Sequence, residues 1–359
     1  MITVTKPFFP PIEEFFGYVK QVYDNNWLTN NGPLLVQLET KLKEKLDVPH
    51  LLVTSNGTIA IQIAIRALEL EGEIITTPFS YVATTSSILW QHCTPVFADI
   101  DPFTFNMDPS TIEKLITPET TAILPAHVFG NSCDIDAIQE IADRHSLRVI
   151  YDGAHCFGTK YKGESVFKSG DISTASFHAT KLFNTAEGGA VITNNPDLNA
   201  KMEFHRNFGH NGPGIFEDVG INGKNSELHA AFGLANLPYA DEILGRLKAL
   251  SIYYDVQLSG IPLQTQTINP DCEYNYAYYP VIFPTEEILL KTFNALQVEN
   301  VFTRRYFAPS LNRLKFVKGN PAPVSEDISR RILCLPLYFS LTEKEIERIT
   351  SIIRKSWRN

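Results

Sequence analysis

The stretch Leu51-Leu52-Val53-Thr54-Ser55-Asn56-Gly57-Thr58 runs from apolar residues into small polar ones, and a segment of helical length, Ile59 to Leu70, follows it. The rhythm recurs downstream. Ile74-Ile75, Pro95-Val96-Phe97-Ala98, Thr121-Ala122-Ile123-Leu124 and Arg148-Val149-Ile150-Tyr151 are short apolar runs, and Ile135 to His145 is another helical segment. Short continuous apolar runs separated by helices are the pattern of a mainly parallel sheet covered on both faces. The expected fold class is therefore α/β. In such sheets ligands gather at the carboxyl ends of the strands. The polar residues that close each apolar run are where chemistry is expected.

Outward from this core, Leu35, Leu38, Leu42 and Leu46 recur at helical spacing behind Gly32-Pro33, where a helix start is expected. After about residue 230 the pattern changes. Ala230 to Leu237 and Leu244 to Leu258 read as helices, and Tyr274 to Phe283 as a strand. Ile288 to Leu296 and Glu343 to Ile353 read as amphipathic helices. The expected division is an N-terminal segment with a large domain over 1–235 and a smaller α+β domain over 236–359. A length of 359 residues suits two domains of ~150 residues or more.

Composition excludes several classes. With 44% hydrophobic and 20% charged residues the chain is not a disordered one. Lys and Arg number 31 against 40 Asp and Glu, a net charge of −9. That balance argues against a nucleic-acid partner held by phosphate neutralisation and against a basic membrane-surface protein. It leaves room for a locally positive pocket. No run approaches the ~20 apolar residues that span a bilayer. The start, Met1 to Pro7, has no basic region ahead of an apolar run, so no signal peptide is expected. Cysteines at 93, 133, 156, 272 and 334 form no Cys-x-x-Cys pair. They fit reduced thiols and a cytoplasmic location. No metal site is expected, since there is no His-Glu-x-x-His, and Asp99-x-Asp101 before Pro102 reads as a turn.

Three elements suggest chemistry. Ser55 to Thr58 opens a helix, and free backbone N–H groups there suit a phosphate, although such residues also serve as plain helix caps. Asp152 closes the run ending at Tyr151, as a functional carboxylate or an ordinary turn residue. Lys181 follows Ser176-Phe177-His178-Ala179-Thr180 and precedes Glu187-Gly188-Gly189. A lysine is usually solvated, but here it could serve as a Schiff-base nucleophile. Together they are more telling than apart. Pyridoxal phosphate requires a phosphate cradle, a lysine for its aldehyde and an anion at its ring nitrogen. A dinucleotide fold, by contrast, lacks its Gly-x-Gly-x-x-Gly fingerprint here.

The sequence resembles the DegT-type nucleotide-sugar aminotransferases, a branch of the fold-type I pyridoxal-phosphate enzymes. The markers are Ser55 to Thr58, Pro78 to Thr84, His127-Val128-Phe129-Gly130, Asp152-Gly153-Ala154-His155, Ser176 to Lys181, Glu187-Gly188-Gly189 and Gly220-Ile221-Asn222. The resemblance implies a large domain with a mainly parallel seven-stranded type of sheet and a smaller C-terminal domain. It implies that Lys181 bonds the aldehyde of the cofactor and then moves protons. Asp152 would pair with the ring nitrogen, Tyr81 stack on the ring, and His155 face the 3-oxygen. Gly57, Thr58 and Ser176 would hold the phosphate, and Asn222 would reach the phosphate of a neighbouring subunit. A homodimer with shared active sites follows from that last role. Sugar-nucleotide contacts would come from Thr29, Asn30, Lys224, Arg304 and Arg305. Lys224 stands where the family commonly has arginine, and lysine lacks the planar fork.

The implied reaction passes the amino group of L-glutamate to a keto carbon of a dTDP-linked 4-keto-6-deoxyhexose, through the pyridoxamine form of the cofactor. The subgroup wording Phe177-His178-Ala179-Thr180-Lys181 points to C4. A 3-keto-sugar aminotransferase is the alternative. A same-fold dehydratase would carry His in place of Lys181, and a non-catalytic sensor would need no working Lys and Asp together.

Overall fold

A computed structural model describes residues 1–216 and 218–358. Its helices are α1 (Ile12–Asn25), α2 (Pro33–Leu46), α3 (Gly57–Ala67), α4 (Val82–Trp90), α5 (Ile135–His145), α6 (Pro196–Arg206), α7 (Glu227–Asn236), α8 (Ala240–Leu258), α9 (Glu286–Val298), α10 (Pro323–Arg331) and α11 (Glu343–Arg358). Its strands are β1 (Ile2–Thr3), β2 (His50–Thr54), β3 (Glu73–Thr76), β4 (Thr94–Phe97), β5 (Thr120–Leu124), β6 (Arg148–Asp152), β7 (Lys160–Tyr161), β8 (Glu164–Ser165), β9 (Ile172–Ser176), β10 (Gly189–Thr193), β11 (Gln264–Thr265), β12 (Cys272–Glu273), β13 (Tyr279–Ile282), β14 (Val301–Phe302) and β15 (Ile332–Leu335).

Seven strands form the central sheet in the order β2-β10-β9-β6-β5-β3-β4. The pairs from β4 through β9 are parallel, and β10 alone runs against both its neighbours, β9 and β2. This is the mainly parallel α/β architecture expected. The apolar runs are continuous because each strand buries both faces. Val53, Ile75, Ile123 and Val149 join one core cluster with α2, α5 and α7. Their neighbours Leu52, Ile74, Ala122 and Ile150 join another with α3. Adjacent side chains point to opposite faces of a strand, so one run feeds two cores.

Helix α3 starts two residues before the expected Ile59, because the Asn56 side chain accepts the Ile59 N–H at 2.9 Å and so caps the first turn. Helix α2 begins at Pro33 as expected, and the buried carboxylate of Glu227 accepts the N–H groups of Leu34 and Leu35 at 2.8 and 2.9 Å. In the C-terminal part β11, β13 and β15 form an antiparallel sheet. Residues of α8, α9 and α11 pack on it in a cluster that includes Ile2. Strand β1 pairs in parallel with β14. The strand expected over Tyr274–Phe283 is confined to β13, because Tyr274 to Tyr278 leaves the sheet and Tyr276 takes a positive φ of 55°. No helix among the described residues is long and apolar enough to cross a membrane.

Candidate active site

The carboxyl ends of β2, β6 and β9 meet at one edge of the sheet, together with the start of the reversed β10. A cavity of about 400 Å³ opens there. Gly57, Thr58, Tyr81, Asp152, His155, Ser176 and Lys181 all line it. Four separated sequence segments thus converge as the strand order requires.

Each floor residue is fixed by identifiable bonds. Asp152 is buried, and its Oδ2 accepts the Thr84 hydroxyl at 2.8 Å while Oδ1 accepts the Ala154 N–H at 3.1 Å. An ionised carboxylate only accepts, so Thr84 must donate to it, and Thr84 in turn accepts from Ser80 at 2.9 Å. This chain keeps a buried negative charge satisfied. At the other end of the floor, Gly57 begins α3 and Gly189 begins β10. A Cβ on Gly189 would fall 2.5 Å from the backbone carbon of Asn56. The close approach brings the α3 N-terminus, with its free N–H groups, onto the cavity floor.

Lys181 is half-buried, and desolvation of its amine pulls its pKa down from 10.5 to about 8 although Asp152, Cys156 and Tyr81 favour the charged form. It exchanges protons in a useful range. Its Nζ lies 3.4 Å from the hydroxyl of Tyr278. His155 accepts the Phe129 N–H on Nδ1 at 3.1 Å. Burial, aided by the Lys181 charge, holds the His155 pKa well below its ordinary value. The ring is therefore neutral and carries its proton on Nε2. His127 is likewise neutral, its pKa pushed down to about 3 by burial, with its Nδ1 accepting the Cys133 N–H at 3.0 Å and its ring stacked 4.7 Å from Tyr151.

These residues fit pyridoxal phosphate. The α3 N-terminus with Thr58 and Ser176 would form an anion cradle, Asp152 would be the anion, and Lys181 would be the amine on the same cavity wall. Among the described residues no group of His, Cys, Asp and Glu could hold a metal.

Residues 11–354 match the DegT/DnrJ/EryC1/StrS aminotransferase family. The chain belongs to that family. Among its relatives are the dTDP-4-amino-4,6-dideoxy-D-glucose transaminases of Shigella dysenteriae and Escherichia coli. The first is 42% identical, with 99% of this chain and 98% of that protein covered. The second is 37% identical, with 98% of each covered. The solved structure of DesI in the presence of its TDP-sugar product aligns with a TM-score of 0.94 at 32% identity, covering 99% of this chain and 92% of that one. The protein is thus a pyridoxal-phosphate-dependent aminotransferase.

The aminotransferase does not gather all the expected contacts. Asn222 is exposed on the loop after α6, bridged to Asn207, and does not line the cavity. Thr29 and Asn30 are exposed between α1 and α2, also off its wall. Lys224 is buried beside the same loop, donating to Asn207 Oδ1 at 2.6 Å and lying 4.7 Å over the Phe208 ring. Arg305 is engaged with Glu286 at 2.9 Å and with the Ser329 and Arg330 carbonyls, tying α10 to α9. Arg304 and Arg305 both line an adjoining cavity of about 940 Å³ that shares Ser80, Tyr81, Tyr306 and Phe307 with the first. Arg304 differs in that its guanidinium has no ion pair or hydrogen bond among the described residues.

Sequence reasoning missed Thr84, His127, Tyr278 and Phe307. Thr84 and His127 stand inside quoted motifs, so the motif itself was the signal. Tyr278 is 97 positions from Lys181, and no local pattern marks it.

Proposed function

We propose that this enzyme transfers the amino group of L-glutamate to C4 of a dTDP-linked 4-keto-6-deoxyhexose, giving a dTDP-4-amino-4,6-dideoxyglucose type of product. The observation that carries amino transfer is the desolvated Lys181 amine sharing one cavity with the buried Asp152 carboxylate. The choice of sugar draws support from the likeness, over nearly the whole chain, to transaminases of that name.

The bound cofactor supplies an electron sink that acidifies the donor's α-carbon. The chain's residues do the rest. Gly57, Thr58 and Ser176 hold the phosphate with backbone and hydroxyl donors at a helix N-terminus. Asp152 holds a proton at the ring nitrogen through its negative charge. His155 offers Nε2–H to the 3-oxygen as a neutral donor. Lys181 Nζ takes up and returns the proton, and a pKa near 8 suits that work at neutral pH. Tyr81 stands at the mouth, 61% exposed, where it can cover the ring. Arg304 is the cation we assign to the anionic groups of the two substrates.

The site is completed by a second copy of the chain, with Asn222 reaching the partner's phosphate and Thr29, Asn30 and Lys224 lying toward the shared cleft. Exposed Phe16, Tyr23, Trp27, Leu28, Phe208 and Phe216 support a homodimer. The separate C-terminal core supports a division near residue 235, and free cysteines suit a cytoplasmic enzyme.

The test is incubation of purified enzyme with L-glutamate and either dTDP-4-keto-6-deoxyglucose or its 3-keto isomer, the product read by NMR. Amination of the 3-keto isomer alone would replace C4 by C3. Lys181→Ala should abolish turnover and the cofactor's yellow absorbance, and an active variant would sink the mechanism.

A further inference from the structure

Tyr278 reaches the cavity from the C-terminal third of the chain, on a segment built to hold it still. Strand β12 pairs with β7, setting the segment's start against the loop that follows Asp152. Asn275, buried, donates from Nδ2 to the carbonyls of His155 at 2.7 Å and Phe157 at 3.1 Å, and its Oδ1 accepts the Ala277 N–H at 3.1 Å. A Cβ on Gly130 would lie 2.1 Å from that Oδ1, so glycine makes room for the staple. The Tyr274 hydroxyl donates to the Tyr278 carbonyl at 3.2 Å. The Tyr278 ring then packs 4.6 Å from His155 and 5.5 Å from Phe129. Its hydroxyl ends 3.4 Å from Lys181 Nζ, and no other side chain bonds that amine among the described residues.

We propose that Tyr278 is a positioning residue for Lys181, its hydroxyl docking the lysine amine whenever that amine is not bonded to the cofactor, a role that rests on the aminotransferase reading. A phenol suits this because it accepts from an ammonium and donates to a neutral amine. Burial pushes the Tyr278 hydroxyl well above its ordinary pKa, so it stays a phenol across the working range. The amine also faces Asp152, Cys156, Tyr81 and His155. None of these offers a neutral hydroxyl at bonding distance. Docking keeps Nζ from swinging away between one proton transfer and the next, which preserves proximity.

A bond to an ammonium is stronger than one to a neutral amine, so losing the hydroxyl should disfavour the charged form. Tyr278→Phe removes only the hydroxyl and keeps the ring packing. In the cofactor-free protein, the pH dependence of Lys181 acetylation by acetic anhydride, read by mass spectrometry, reports the amine directly. Its midpoint should fall by roughly half to one pH unit in the variant. In the loaded enzyme, single-turnover conversion by L-glutamate should slow by about tenfold, with little change in half-saturation. A variant that matches the wild type in both readouts overturns the proposal and leaves the aminotransferase reading untouched. An active Lys181→Ala enzyme would overturn that reading instead.

Discussion

The floor and the mouth of the cavity are built by different rules. On the floor, Asp152, Ser176, Gly57 and Lys181 sit at or just beyond the ends of adjacent strands, and one chain fixes them all. At the mouth, the expected contacts scatter. Asn222, Thr29 and Asn30 lie on exposed loops, Lys224 and Arg305 are held by their own neighbours, and only Arg304 reaches a cavity with its charge unpaired. The floor residues close strands of one sheet, so sheet topology is enough to bring them together. The mouth is where the proposed sugar contacts lie, and there strand order fixes little.

Two substitutions test this contrast. Asp152→Asn strikes the floor and should lower kcat by about 10²–10³-fold, as loss of a preorganised charge does. A loss under tenfold in steady-state assays would mean that the floor charge matters no more than a mouth contact. Arg304→Ala strikes the mouth and should raise the KM for the nucleotide sugar by about tenfold with kcat nearly unchanged. A matching loss of kcat would place Arg304 with the floor.

The smallest effect concerns stability. Below about pH 8 the folded and unfolded Lys181 are both charged, and the fold carries the full penalty of burial. Between about 8 and the ordinary 10.5 the folded amine has lost its proton while the unfolded one keeps it, so this group's contribution rises with pH. Lys181→Met should therefore stabilise the cofactor-free protein near pH 7 by on the order of 1–3 kcal/mol, with the gain shrinking toward pH 10. Denaturant unfolding at both pH values checks it. An equal gain at both would mean that the amine is solvated in the cofactor-free state.

What the sequence revealed follows the same line. The strands of the large sheet were legible because both faces are buried and the apolar runs are unbroken, as with Leu52 and Val53 facing opposite cores. Floor residues were legible because they close those runs. Tyr278 was not, because a staple through Asn275 delivers it from a distant segment. The fate of Arg305 was not either: an arginine 19 positions from Glu286 carries no local sign that the two will pair. The extent of β13 was missed because Tyr274 to Phe283 keeps strand-like composition through a segment that Asn275 holds out of the sheet.

The pairing of β1 with β14 has a consequence for synthesis. Ile2 and Thr3 leave the ribosome well ahead of their partners Val301 and Phe302, which emerge roughly 15–60 s later at ordinary elongation rates. All seven strands of the large sheet are made by Thr193, while the amino-terminal strand still waits for its partner. Residues made early are thus among the last to find their place. A pause late in translation would leave Ile2 exposed beside an unfinished C-terminal core.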